Sequence, residues 1–183
     1  TPPAAEDVRL MPVKGTAEWE RLAALGRAAL EKQQVGVVIL AGGMATRFGG
    51  VVKAVVPVID GKTFLQLKLD DVRHVSAKAP VYVMSSFATH ERLEQHVKEL
   101  GATNTFVFPQ FVSLRLDAKG QPFKETDGDV SPYATGHGDL TFALRRSGLL
   151  QKFRAGGGTL LVMSNVDNLG ATLDPVVLGA HLD

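Results

Sequence analysis

The chain has 183 residues, 45% of them hydrophobic and 21% charged, and Lys+Arg exceed Asp+Glu by one (20 against 19). That composition belongs to a globular domain with a sizeable core, not to a disordered chain. It offers no run long enough to span a membrane and no bulk field that points to nucleic acid or a membrane partner. Zero cysteines exclude a disulfide scaffold, a Cys-ligated zinc and a thiol nucleophile, and agree with a reducing, cytoplasmic setting.

Residues 1–15 are polar and proline-bearing and read as an arm. Thr16 then caps a helix with Glu18 in its first turn and Trp19, Leu22, Ala23 and Leu30 on one face. Residues 1–34 are therefore expected to form an N-terminal arm and helix, and 35–183 the remainder of the fold. The run Val35-Gly36-Val37-Val38-Ile39-Leu40-Ala41 predicts a strand buried on both faces, followed by a glycine-rich loop from Gly42 to Gly50. Phe64, Leu65, Leu67, Leu69 and Val72 predict a helix, and Val81 to Met84 a second strand. Thr89 caps the next helix, where Leu93, Val97 and Leu100 share a face and Gly101 stops it.

Thr105 to Phe108 read as a third strand. Val112 to Leu116 and Gln121 to Lys124 flank Asp117-Ala118-Lys119-Gly120 as the two limbs of a hairpin. The chain is polar and turn-rich from Glu125 to Thr135. Asp139 is then the expected cap of a helix through Leu140, Ala143 and Leu144 toward Gly148, and Thr159 to Met163 form a fourth strand. Two features are expected of a piece of a longer chain: a start at Thr1 without Met, and a helix opened by Asp174-Pro175 that stops after about two turns.

Strands alternating with helices predict an α/β fold with a mostly parallel sheet covered on both faces. In such a sheet ligands sit beyond the carboxyl ends of the strands, and three loops there carry unusual residues. In the first, Gly42 and Gly43 follow a buried strand and let backbone N–H groups approach a ligand, while Arg47 and Lys53 add cations suited to a polyphosphate. Neither familiar nucleotide-loop pattern can be laid on it, and a plain glycine turn with Lys53 on an edge strand would produce the same residues. In the second, Gly136 could present its backbone and His137 donate to an oxygen at a helix start, or both could belong to a solvent-facing turn. In the third, Asp167 after the fourth strand suits a carboxylate holding Mg²⁺ while phosphate oxygens complete the shell, or an Asn/Asp turn. The five histidines show no zinc spacing, Ser85-Ser86 has no paired base in view, and Arg145-Arg146 read as a solvated helix face.

Taken in order, four segments resemble the UDP-glucose/UDP-sugar pyrophosphorylase family, the UTP–sugar-1-phosphate uridylyltransferases. They are Leu40-Ala41-Gly42-Gly43-x-x-Thr46-Arg47 with Lys53, Gln110 after a strand, Gly136-His137-Gly138-Asp139, and Ser164-Asn165-Val166-Asp167-Asn168-Leu169-Gly170-Ala171-Thr172. The likeness runs from about Gly36 onward and is closer to the UDP-glucose branch than to the N-acetylhexosamine branch. It implies a Rossmann-like nucleotidyltransferase fold of the glycosyltransferase-A type, truncated, in which 35–183 is the nucleotide-binding part.

The resemblance implies that Leu40, Ala41, Gly42 and Gly43 line the nucleotide and that Arg47 and Lys53 steady its phosphates. Gln110 and Gly136 would read the uracil, His137 and Asn165 touch the sugar-phosphate side, and Asp167 bind Mg²⁺. The implied partners are UTP, a sugar 1-phosphate (glucose 1-phosphate foremost), the UDP-sugar and pyrophosphate. The whole protein would be the enzyme, while these 183 residues alone would bind nucleotide weakly and turn over poorly or not at all. Two positions depart from the family pattern: Ala45 stands where glycine is usual, and Val52 where proline is usual before the lysine. Other readings are a silent nucleotide-sugar-binding module, a nucleotidyltransferase for another base, and an NAD or SAM domain, although the last lacks its glycine fingerprint.

Overall fold

The computed structural model describes residues 2–4, 8, 10–45 and 49–183. The Thr16 hydroxyl accepts the Trp19 amide and starts helix α1 (Ala17–Glu31). The apolar run becomes β1 (Val35–Leu40), every residue of which is buried. A short ribbon of β2 (Met44–Ala45) and β3 (Val51–Val52) follows, then a 3-10 turn over Lys53–Val55. A second ribbon, β4 (Pro57–Ile59) and β5 (Lys62–Thr63), leads into α2 (Phe64–Val75), which the Thr63 hydroxyl caps at the Gln66 amide. Next come β6 (Val81–Ser85), α3 (His90–Glu99), β7 (Thr105–Pro109), β8 (Val112–Leu114) and β9 (Pro132–Ala134). The chain closes with α4 (Leu140–Arg146), α5 (Leu149–Ala155), β10 (Leu160–Asn165) and α6 (Pro175–Leu182).

Four strands make the central sheet, in the order β10-β1-β6-β7, all parallel. Side-chain alternation splits its core in two. Val35, Val37, Ile39, Val81 and Val83 face one way, where α1, α2, α3 and α6 supply Leu30, Leu69, Leu93 and Leu178. Val38, Leu40, Tyr82 and Met84 face the other, under Leu144 of α4 and Phe153 of α5. This is the expected α/β architecture with helices on both faces.

Four local expectations are corrected. The tip at Asp117–Gly120 turns as predicted, with the Asp117 amide on the Gln121 carbonyl, but Val112–Leu114 pair with Pro132–Ala134 rather than with the returning limb. That limb contains Pro122, which has no N–H to give a ladder, and it pairs only at isolated points. A strand thus lies inside the turn-rich stretch. Asp139 caps nothing: its carboxylate turns back to accept the Phe111 amide (2.8 Å) and the Thr135 hydroxyl. Thr89 precedes α3 without a cap bond, because its hydroxyl accepts the Ser86 amide instead (2.9 Å). Past Gly148, a positive φ of 77° lets the chain start α5, an element that seven residues without clear periodicity do not announce.

Helices α1 and α6 cross at two glycines. A Cβ on Gly26 would overlap the Pro175 carbonyl, and one on Gly179 would overlap the Leu22 carbonyl; both obstacles are backbone and cannot rotate away. Gly→Ala inside an exposed helix normally stabilises by up to about 1 kcal/mol. Here Gly26→Ala and Gly179→Ala will each destabilise by about 3 kcal/mol in denaturant unfolding, because the helices must separate.

Candidate active site at the strand ends

The chain leaves β1 toward β6 and β7 and returns on the other side as β10, so β1 and β10 are the strands between which the order reverses. In open α/β sheets the crevice beyond such a pair is the usual ligand site. Leu40 and Asn165 are partners at the ends of these strands. Beyond them Ala41 donates its amide to Met84 O (2.8 Å) and Val166 donates to Leu40 O (3.1 Å), and both side chains are buried. With Val166 turned in, the exposed neighbours Asn165 and Asp167 lie on the surface of the crevice.

The β2–β3 ribbon folds the glycine loop back on itself, and the Lys53 amide donates to Gly43 O (3.2 Å). Val52 and Ala54 are buried on either side of Lys53 and belong to the core. The lysine cannot follow them inward, and its Nζ reaches Asp167 Oδ2 at 2.9 Å, across 114 residues of sequence. Hydrogen bonding to this ammonium, helped by its charge, holds the Asp167 carboxyl below its ordinary value of 3.8. The edge-strand alternative for Lys53 is set aside, because the ribbon ends at Val52 and the lysine opens a 3-10 turn.

A second cluster lies across Gly42. Gln110 is buried, donates its own amide to Ser85 O (2.9 Å), and accepts the Gly136 amide on Oε1 at 2.8 Å. Its Nε2 lies where a Cβ on Gly42 would come within 2.5 Å, so any larger residue at 42 would displace the end of the Gln110 side chain. The Ser86 hydroxyl donates to Gly42 O (2.8 Å) and fixes the loop from the other side. Gly136 has φ 90° and ψ −166°, a region open to glycine alone. His137 follows it, exposed, in a 3-10 turn that runs directly into the start of α4. The Asp139 contacts to Phe111 and Thr135 tie this turn to the end of β7.

The structure therefore gathers Leu40, Ala41, Gly42, Gly43, Lys53, Asn165 and Asp167 at the carboxyl ends of β1 and β10, and places Gln110, bonded to Gly136, next to Gly42. Arg47 lies outside the described residues. A cleft of about 450 Å³ opens at Gly42, lined also by Ser86, Arg115 and Tyr133. Sequence reasoning missed Ser86 and Arg115: the serine because its use here is structural, the arginine because its position depends on the β8–β9 pairing. A larger groove of about 660 Å³, between α3 and the β7 edge, contains none of the site residues. Ser85 does have a histidine in reach, His90 Nδ1 at 2.8 Å, but its hydroxyl donates to Phe108 O and is fully buried, which makes it a strand clasp and not a nucleophile.

Among the described residues no group of three or more His, Asp or Glu is placed to hold a metal ion. A cation here would have Asp167 as its one carboxylate and would need phosphate oxygens for the rest, a set that suits Mg²⁺ bound with a nucleotide.

Sequence and structure comparisons bear directly on this arrangement. The family model for UTP–glucose-1-phosphate uridylyltransferase matches residues 4–183. The chain belongs to that family. The match takes in the arm and α1, where no motif of the family was recognised. Curated relatives include the UTP–glucose-1-phosphate uridylyltransferases of Saccharomyces cerevisiae, 33% identical over 160 residues, and Solanum tuberosum, 32% identical over 178. The aligned parts cover 82% and 90% of this chain but only 32% and 37% of those proteins, so the chain spans about a third of their length. A solved UDP-glucose pyrophosphorylase from Leishmania major is 29% identical with a TM-score of 0.71, covering 94% of this chain and 38% of that one. The uridine diphosphate N-acetylglucosamine pyrophosphorylase of Trypanosoma brucei, at 23% identity and TM-score 0.81 over 90% of this chain and 38% of its own, shares the fold.

The Lys53–Asp167 pair is partly exposed and will stabilise the chain by less than about 1 kcal/mol. The folded-state pKa of Asp167 lies below the unfolded value of 3.8, so this contribution is complete above that pH and is lost as pH falls through the folded value. Urea unfolding will accordingly find Asp167→Asn less stable than wild type at pH 7 and the gap closing below pH 3.8. A gap that widens on acidification contradicts the pairing.

Proposed function

We propose that this chain carries the nucleotide site of a uridylyltransferase that converts UTP and glucose 1-phosphate to UDP-glucose and pyrophosphate. The observation that supports it most is the Lys53–Asp167 pair, a cation and a carboxylate placed at the sheet's reversal point beside a glycine loop. In the reaction an oxygen of the sugar phosphate attacks the α-phosphorus of UTP, and the bond from that phosphorus to the β-phosphate oxygen breaks as pyrophosphate leaves. Such a step needs alignment and charge neutralisation more than a covalent nucleophile. The buried, hydrogen-donating Ser85 and the absence of cysteine are consistent with that.

In the free chain Lys53 and Asp167 neutralise one another. A triphosphate offers the ammonium several anionic oxygens and releases the carboxylate for the cation that accompanies the nucleotide. Mg²⁺ held by Asp167 and the phosphates would supply further neutralisation of the charge on the leaving pyrophosphate. Arg47 and Lys53 steady the phosphates, and the glycine amides at Gly42 and Gly43 leave room for the backbone to approach. Gln110 has Oε1 engaged by Gly136, which leaves Nε2 as a donor for a uracil carbonyl. His137 and Asn165 are assigned to the sugar-phosphate side. With no cysteine and no helix among the described residues long and apolar enough to cross a membrane, we also assign the chain to the cytoplasm.

Calorimetric titration with UTP and ATP, each with and without Mg²⁺, tests this reading. UTP will bind more tightly than ATP, Mg²⁺ will strengthen the binding, and Asp167→Ala will abolish the Mg²⁺ gain. Equal affinity for ATP, or a full Mg²⁺ gain in the Asp167→Ala protein, would overturn it.

A further inference from the structure

The turn that carries Asp167 is gripped from below by helix α2. Lys68 is only 4% exposed, which is rare for a lysine unless its ammonium is fully engaged. Its Nζ donates to the carbonyls of Ala171 (2.5 Å) and Asn168 (3.2 Å). Three residues on, on the same face of the helix, Asp71 Oδ2 accepts the Leu173 amide at 2.9 Å. The loop's own bonds prepare it for this grip. Leu169 N reaches Asp167 O, and Ala171 N reaches Asn168 O, so the chain coils and sends the Asn168 and Ala171 carbonyls to one point.

A leucine at position 68 would fill the same space and bury more apolar surface without desolvating a charge. Burial does push the Lys68 ammonium down from its ordinary pKa, opposed by the charge of Asp71. What the lysine offers and a leucine lacks is a set of hydrogen-bond donors for two inward-facing carbonyls. Helix α2 also packs on the Lys53–Val55 turn, with Leu65 and Leu69 in the same core as Ala54. One helix thus supports both partners of the Lys53–Asp167 pair.

We propose that Lys68 and Asp71 are positioning residues that set the curvature of residues 168–173 and thereby hold the Asp167 carboxylate toward Lys53 and the incoming metal–nucleotide. This rests on the reading of Asp167 as the carboxylate that meets the cation. The test uses the 183-residue chain with UTP as probe, titrated in Mg²⁺ and in EDTA, for wild type, Lys68→Met and Lys68→Arg. Methionine keeps the length and removes the donors; arginine keeps donors and charge. Lys68→Met will weaken UTP binding about tenfold in Mg²⁺ but less than about twofold in EDTA, and Lys68→Arg will recover most of the loss.

A pillar with only a structural role would change both affinities by the same factor, and that result, or no change, overturns the proposal. Should Lys68→Met fail to fold, Asp71→Ala is judged by the same Mg²⁺-to-EDTA ratio. If wild type itself gains nothing from Mg²⁺, the reading of Asp167 fails instead. The grip is then decided by amide hydrogen exchange in Lys68→Met or, failing that, Asp71→Ala: faster exchange at Asn168, Ala171 and Leu173 supports it, and wild-type rates there contradict it.

Discussion

A lysine ammonium and an aspartate carboxylate 2.9 Å apart, at the point where two neighbouring parallel strands part company, are the contact around which the site is organised. The pair adds little to stability, because both side chains remain in touch with water. Its significance is geometric. Lys53 reaches Asp167 only if the glycine loop folds back through β2 and β3, if Val52 and Ala54 are anchored in the core, and if Val166 is pulled in to send Asp167 out. The first condition is met by strand pairing and the other two by burial of an apolar neighbour, so backbone hydrogen bonds and the hydrophobic core together aim two polar side chains that contribute almost nothing to stability.

Much of the frame is legible in the sequence because it depends on local period. The uninterrupted run at Val35–Leu40 marks a strand with both faces covered, and Val81–Met84 marks a second strand. Thr16 starts its helix at the residue expected. The parts that are not legible depend on partners far along the chain. Nothing near Asp139 says that its carboxylate will leave the following helix for the Phe111 amide, and nothing in Val112–Leu114 selects Pro132–Ala134 over the nearer limb. Lys68 reads as one more polar residue on an amphipathic helix until residues 168 and 171 are folded over it.

The same division holds for the site. Glycines after a buried strand and an aspartate at a strand end are visible as residue types, and their order along the chain carries the likeness to the uridylyltransferases. The direct contact between Lys53 and Asp167 is not visible, because 114 residues separate them. Gln110 is instructive: it stands out in the sequence only through the family likeness, yet its side chain bonds Gly136 and lies against Gly42, between the two clusters.

The most direct measurement of where the nucleotide lies is a titration of the ¹⁵N-labelled chain with Mg²⁺ and UTP, followed by amide shifts. Large changes should fall on Gly42, Gly43, Lys53, Gly136 and Asp167, with the α3–β7 groove unaffected. Changes centred instead on His90, Lys98 and Phe106 would place the ligand in that groove and contradict a site at the ends of β1 and β10.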